Sequence, residues 1–96
     1  MSGDVQVKKA TEVIVLLEYP VEVGGLVYNE LTVRRPKGRD RLVSSQMIGD
    51  LNQEYTYLAL LSGVSLDVFE EMDGSDIDRV QETVKGFKSQ ISAKKT

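Results

Sequence analysis

The 96-residue chain contains neither cysteine nor histidine. Without cysteine it can form no disulfide, thiolate nucleophile or cysteine-ligated metal site, and without histidine it lacks the commonest general base and metal ligand. No arrangement of the remaining serines and carboxylates forms a catalytic motif. We therefore expect a protein that is not an enzyme and that uses no cofactor and no metal.

Positive charge and long apolar runs are also scarce. The net charge is −3, whereas a general affinity for nucleic acid or anionic membranes needs an excess of Lys and Arg. The longest apolar runs, Val13 to Leu17 and Tyr57 to Leu61, have five residues each, against about 20 for a membrane-spanning helix. The N-terminal residues contain no apolar segment of the kind found in secretion signals. We expect no membrane contact and a cytoplasmic location.

Residues typical of β-strands dominate the first third of the chain and predict a β-hairpin over 12–35. Gly24-Gly25 suits a two-residue turn, because glycine accepts positive φ at both positions. That turn pairs Val21 with Tyr28, but it sends other apolar residues to the opposite face. These residues are Val27, Leu31 and Val33. Either a β-bulge shifts the register, or both faces of the hairpin are partly covered.

Beyond Gly38 the apolar spacing becomes helical. The predicted helices span about 39–48, 51–61, 65–72 and 76–91. Flanking tails are expected at 1–10 and 93–96. The resulting fold class is α+β, in which one domain over 11–92 has an N-terminal β-hairpin followed by three or four short helices packed on it.

Two groups of side chains are candidates for contacts with other molecules. The predicted helices offer more apolar surface than one hairpin can cover, so part of that surface is expected to bind a protein partner, although the same residues could fill the core. The partner-binding candidates are Tyr55, Tyr57, Leu60, Phe69 and Phe87. The candidates for electrostatic contact are Arg34, Arg35, Arg39 and Arg41.

An acidic cluster precedes the last predicted helix and consists of Asp73, Asp76 and Asp78. An EF-hand calcium loop places acids at positions 1, 3 and 5 and a glutamate at position 12. Counted from Asp73, the acids fall elsewhere and Val84 occupies the twelfth position. We interpret the cluster as helix caps and solvated carboxylates.

The order and spacing of these segments resemble those of a known family. The first half of the resemblance rests on the sequences at 17–25, 31–36 and 40–42, and the second on 60–65 with Phe69, Met72-Asp73, Asp76-Ile77 and Phe87. Together they resemble the tail assembly chaperones of Mu-like and related contractile-tailed phages and prophages, over about residues 16 to 87.

The resemblance implies a protein without enzymatic activity that binds the phage tape measure protein, keeps it soluble and assists recruitment of tail tube subunits. It also implies action in the bacterial host cytoplasm and absence from the mature virion. The matching residues are mostly structural, and Arg34, Arg35, Pro36 and Asp40 are expected to form the corner between strand and helix. The resemblance therefore assigns no binding residue.

Two other functions are also compatible with the sequence. One is a generic protein-interaction adaptor. For either protein-binding function, the uncovered strand edges could also allow self-association. The other is a small nucleic-acid-binding regulator that uses the basic segment from Arg34 to Arg41, and its binding would weaken steeply with salt. The negative net charge makes the second the less favoured alternative.

Overall fold

The computed structural model describes the backbone of residues 11–94 and the side chains of residues 11–87. Strands β1 (Glu12–Val23) and β2 (Leu26–Arg34) form an antiparallel hairpin. The helices that follow in this part of the chain are α1 (Gly38–Ser44), α2 (Asp50–Ser62), α3 (Leu66–Glu71) and α4 (Gly74–Lys94). The predicted α+β class, with a hairpin before the helices, is confirmed.

Two helices differ from their predicted lengths. The predicted first helix extends to residue 48, but α1 ends at Ser44, where the hydroxyls of Ser44 and Ser45 donate to the carbonyls of Arg41 and Leu42. Such local bonds compete with continuation of a helix. Helix α4 is not short: it has 21 residues and continues into the predicted tail, because no glycine or proline interrupts it near residue 91. The predicted tail 1–10 and residues 95–96 lie outside the described residues.

The register of the hairpin changes along its length. Gly24 and Gly25, with φ of 60° and 83°, form the expected turn, and Val21 pairs with Tyr28. Between Val21 and Leu16, β1 advances five residues while β2 advances only from Tyr28 to Glu30. The two advances differ by an odd number of residues, and side chains alternate between the two faces of a strand, so the shift reverses which residues of β2 face the helices. Leu31 and Val33 therefore lie on the buried face, opposite Val15 and Val13. The bulge alternative is therefore the correct one, and Val27 alone of the three displaced residues stays exposed.

The helices cover one face of the hairpin. Helices α3 and α4 pack against β1, and α2 packs against β2. The largest fully buried apolar side chains come from the strands and helices alike: Phe69, Phe87, Leu58, Leu61, Val33, Val68 and Val80. Helix α1 packs mainly on α2. None of the helices in the described part of the chain combines the length and hydropathy needed to cross a bilayer.

Candidate protein-interaction surface

The corner between β2 and α1 is held by an ion pair between Arg34 and Asp40. The two terminal nitrogens of Arg34 donate to the two carboxylate oxygens of Asp40, at 2.9 and 2.7 Å, and the Lys37 N–H donates to the same carboxylate at 2.8 Å. Asp40 is 3% exposed. The hydrogen bond from Arg34 lowers the pKa of this carboxyl despite its burial. Arg34 is thus a structural residue of the corner.

The other candidate arginines divide into two kinds. Arg35 lies over the ring of Phe87, with 5.6 Å from the guanidinium carbon to the ring centroid, and donates to the Phe87 carbonyl at 3.4 Å. Arg41 lies over the ring of Tyr57 at the same distance but stays exposed, as does Arg39. The structure therefore ties Arg34 and Arg35 into the fold and leaves Arg39 and Arg41 accessible on α1. Contact of either with a partner stays a prediction.

Two of the five predicted partner-binding residues are in the core. Phe69 is 0% exposed and Phe87 is 1% exposed. Phe69 packs 6.4 Å from Tyr55 between ring centroids, and Phe87 lies beneath Arg35. A binding residue must be accessible, so the assignment of Phe69 and Phe87 to the surface was wrong for this fold. Tyr55, Tyr57 and Leu60 are half-buried on α2, and their role in binding stays a prediction.

The exposed apolar surface of the helices lies instead around α1 and the start of α2. We call it the α1–α2 patch, and its members are Leu42, Val43, Ile48 and Leu51, which are 69%, 47%, 89% and 64% exposed. Leu42 and Val43 are exposed because α1 turns Asp40 and Ser44 inward instead. The sequence analysis did not identify this patch.

A groove of about 560 Å³ adjoins the patch between α1, α2 and α4. Its floor includes the buried Leu58 and Val84, and its rim includes Arg41 and Lys85. The Tyr57 hydroxyl also belongs to the groove; it is buried and has no hydrogen-bond partner among the described residues. Burial raises the pKa of this phenol.

Asp76 has a role that the sequence did not indicate. Its carboxylate is 0% exposed and accepts hydrogen bonds from the N–H groups of Glu18 and Tyr19, both at 3.0 Å. Arg79 pairs with the same carboxylate and also donates to the Leu16 carbonyl. Burial alone would raise the pKa of Asp76, but these hydrogen bonds lower it. The interpretation as a solvated or capping carboxylate was wrong for Asp76, which binds the bulged part of β1 to α4.

Of the two remaining acids of this cluster, Asp73 caps the start of α4. Asp73 accepts hydrogen bonds from the N–H and the hydroxyl of Ser75, at 3.0 and 2.6 Å, as a capping residue does. Asp78 is exposed. Within the described residues, no group of three or more acidic side chains is arranged to hold a metal ion. The cluster is therefore structural at Asp73 and Asp76.

Comparison with known proteins identifies the family. A family model described as "Phage tail assembly chaperone proteins, E, or 41 or 14" matches residues 14–89. No curated protein and no solved structure matches the chain. The family match includes most of the hairpin, the α1–α2 patch and the Asp76 contact. The chain therefore belongs to the phage tail assembly chaperone family.

Proposed function

We propose that this chaperone binds the phage tape measure protein, keeps it soluble and assists recruitment of tail tube subunits, without catalysing a reaction. It would act in the cytoplasm of the bacterial host. The observation that carries the proposal is the α1–α2 patch, whose four apolar side chains are between 47% and 89% exposed. Together with membership of a tail assembly chaperone family, such a surface favours binding to an apolar client.

The chemistry of the patch suits a helical client. A tape measure protein is long, largely helical and apolar, and an amphipathic helix binds by placing its apolar face on a hydrophobic surface. Burial of one Leu, Val or Ile side chain is worth about 1.5–3 kcal/mol, so the four residues of the patch can supply most of a weak reversible affinity. Reversibility suits a chaperone, because its client must later be released into the tail.

The neighbouring groove extends this surface. Arg41 and Asp50, which precede Leu42 and Leu51 in the chain, line the groove together with Tyr57. A client helix on the patch would thus lie near Arg41 and Asp50, which are exposed at the groove. Tyr57 lines the groove and is half-buried, so it stays in the proposed binding surface, beside the patch.

The test is co-expression of this chain with the tape measure protein of the same genome. The soluble tape measure fraction that co-purifies should rise when the wild-type chaperone is present and should fall for the double variant Ile48→Ser, Leu51→Ser. Leu26→Ser is the matched control, because Leu26 is 63% exposed but lies at the hairpin turn. A tape measure protein that stays insoluble beside a folded wild-type chaperone would contradict the proposal.

The nucleic-acid alternative is weaker than the sequence suggested. It relies on the basic segment from Arg34 to Arg41, but Arg34 is paired with Asp40 and Arg35 is in contact with Phe87. The generic adaptor differs from the chaperone only in its client, and family membership favours a phage tail protein.

A further inference from the structure

The groove between α1, α2 and α4 carries charges of both signs, and they lie at different places along α2. Asp50 is the first residue of α2 and lines the groove. Tyr57 lines it seven residues later, and the guanidinium carbon of Arg41 lies 5.6 Å from the centre of the Tyr57 ring. Seven residues make about two helical turns, or roughly 10 Å along the axis. The Asp50 carboxylate therefore lies at one end of the groove, and the Arg41 cation lies toward the other.

The other charged side chains that line the groove keep this order. Glu54 lies one turn after Asp50 and is half-buried, and its carboxylate accepts a hydrogen bond from the Gln81 amide at 3.3 Å. Lys85 lines the groove from α4, one turn after Gln81, toward the part of α4 that contacts the corner between β2 and α1. The groove is thus acidic at the start of α2 and cationic near α1.

The charges at the two ends of the groove are free to meet a bound segment. Arg41 and Asp50 are both exposed, and neither forms an ion pair with another residue of the part of the chain that the structure describes. Lys85 lies 3.6 Å from Glu82, but both side chains are more than 70% exposed, so this pair is weak. Further charged residues at α1 and on α4 are exposed but do not line the groove: Lys37, Arg39, Asp78, Arg79 and Glu82.

The surface between the two charged ends is apolar. Leu58 and Val84 form part of the floor of the groove, and the exposed Leu42 and Leu51 of the α1–α2 patch follow its charged residues Arg41 and Asp50 in the chain. The volume of about 560 Å³ lies within the range of pockets that hold ligands. A segment that fits here must therefore present apolar side chains with a charged side chain on either side of them.

We propose that the groove selects a client helix by the sign and the spacing of its charges. A basic residue of the client would face Asp50 and an acidic residue would face Arg41, about two turns apart, with apolar residues between them. The inference rests on the proposed function, because this helix is the one that binds the α1–α2 patch. Arg41 and Asp50 then determine specificity, since a like charge opposite either residue is repelled. The order of the two charges is free, because a helix turned end for end exchanges them.

The test uses synthetic amphipathic peptides of about 20 residues, long enough to form helix in water. All carry the same stripe of leucines and differ only at two positions beside it, about two turns apart. The Glu–Lys peptide has one charge of each sign there, the Glu–Glu peptide has two acids, and the Lys–Lys peptide has two bases. A fourth peptide carries its Glu and Lys on the opposite face of the helix. Fluorescence anisotropy at low salt, with protein up to about 1 mM, measures the affinities.

The wild type should bind the Glu–Lys peptide about three- to tenfold more tightly than each of the other three. Asp50→Lys should instead prefer the Glu–Glu peptide, and Arg41→Glu the Lys–Lys peptide, by similar factors, because each substitution reverses one end of the groove. Glu22→Lys is the matched control for Asp50→Lys: it changes the charge equally at an exposed residue of the hairpin and should keep the wild-type order. All preferences should shrink at about 0.5 M salt, which screens exposed charges.

Three results would overturn the proposal. The first is a wild type that binds the Lys–Lys peptide most tightly, as the net charge of −3 alone would favour. The second is a wild type that binds all four peptides equally or binds none of them. The third is an order of preference that both Asp50→Lys and Arg41→Glu leave unchanged. If circular dichroism shows that a variant is unfolded, the neutral variants replace it: Asp50→Asn should bind the Glu–Lys and Glu–Glu peptides equally, and Arg41→Gln the Glu–Lys and Lys–Lys peptides.

Co-expression of the same variants with the tape measure protein separates this inference from the proposed function. The wild type and Glu22→Lys should keep the tape measure protein soluble, whereas Asp50→Lys and Arg41→Glu should each lower its soluble fraction. Equal solubility with all four proteins, together with no peptide preference, removes only this inference. A tape measure protein that stays insoluble beside the folded wild type removes the proposed function, while the peptides still show whether the groove selects by charge.

Discussion

Replacing Asp76 by alanine should weaken the attachment of the bulged part of β1 to α4. The Asp76 carboxylate accepts the N–H groups of Glu18 and Tyr19, where β1 leaves its regular pairing with β2. At this point β2 offers no regularly paired carbonyl to these two N–H groups, so the Asp76 carboxylate accepts their hydrogen bonds instead. Alanine leaves both N–H groups without this acceptor and removes the partner of Arg79.

The expected loss follows from these contacts. A donor left unpaired on removal of its partner costs about 1–3 kcal/mol when buried, and the Glu18 and Tyr19 amides are only part-buried. Water can therefore reach these amides in part, so we expect the loss of each hydrogen bond to cost about 1–2 kcal/mol of stability. The Arg79 side chain is 45% exposed and regains water, so it adds little. The free energy of unfolding should fall by about 2–4 kcal/mol, from a total of about 5–15 kcal/mol for a domain of this size.

Urea denaturation at pH 7, followed by far-UV circular dichroism, measures this loss. Asp78→Ala is the matched control, because Asp78 lies on the same helix and is exposed; it should change stability by no more than about 0.5 kcal/mol. Amide hydrogen exchange supplies a local measurement, in which Glu18 and Tyr19 should lose protection in Asp76→Ala before the core residues do.

Two results would refute the reasoning. One is a loss below about 1 kcal/mol, equal to that of Asp78→Ala, which would mean that water replaces the carboxylate at no cost. The other is unchanged exchange protection at Glu18 and Tyr19, which would show that their amides are held by something other than Asp76.

Three further predictions concern the charged corner, the core and pH. The pKa values of Asp40 and Asp76 are lowered in the fold, so the stability that these carboxylates contribute is complete above about pH 5 and is lost as the pH falls below about 4. Urea denaturation at a series of acidic pH values should show that the free energy of unfolding of Asp76→Asn depends less steeply on pH. Because the sequence contains no histidine, the free energy of unfolding should be constant from about pH 5 to 8. Arg34→Lys should cost about 1–2 kcal/mol in urea denaturation, because lysine cannot make the two parallel bonds to Asp40, and a loss near zero would contradict the structural role of the pair. Phe87→Ser should cost about 3–5 kcal/mol, since Phe87 is 1% exposed; a thermal transition at the wild-type temperature would show that it is not core.

Features that depend on neighbouring residues could be predicted from the sequence. The turn at Gly24-Gly25 and the end of α2 at Gly63 both use positive φ, which glycine adopts without strain. The order of strands before helices follows from a change in apolar spacing near Gly38. These signals are contained within a few residues, so no knowledge of the fold was needed to read them.

The hairpin register could not be decided in the same way. The turn alone sends Leu31 to the wrong face, and the sequence allowed either a bulge or two covered faces. The bulge is stabilised by Asp76, which is 58 positions from Glu18 in the chain. Because this acceptor is so distant in the chain, the residue pattern of the strand does not indicate the bulge. In the sequence alone, Asp76 also cannot be distinguished from a solvated aspartate.

The candidate site was likewise only partly predictable from the sequence. Membership of the chaperone family was available from the order of turns, caps and apolar positions, because that order is a property of the chain. The accessible surface was not, because periodicity shows that a residue lies on an apolar face but not whether another element covers that face. Phe69 and Phe87 are covered, whereas Leu42 is exposed because α1 turns its polar Asp40 inward toward Arg34. The sequence alone thus determined the elements and the family, whereas tertiary packing decided which apolar residues remain free to bind.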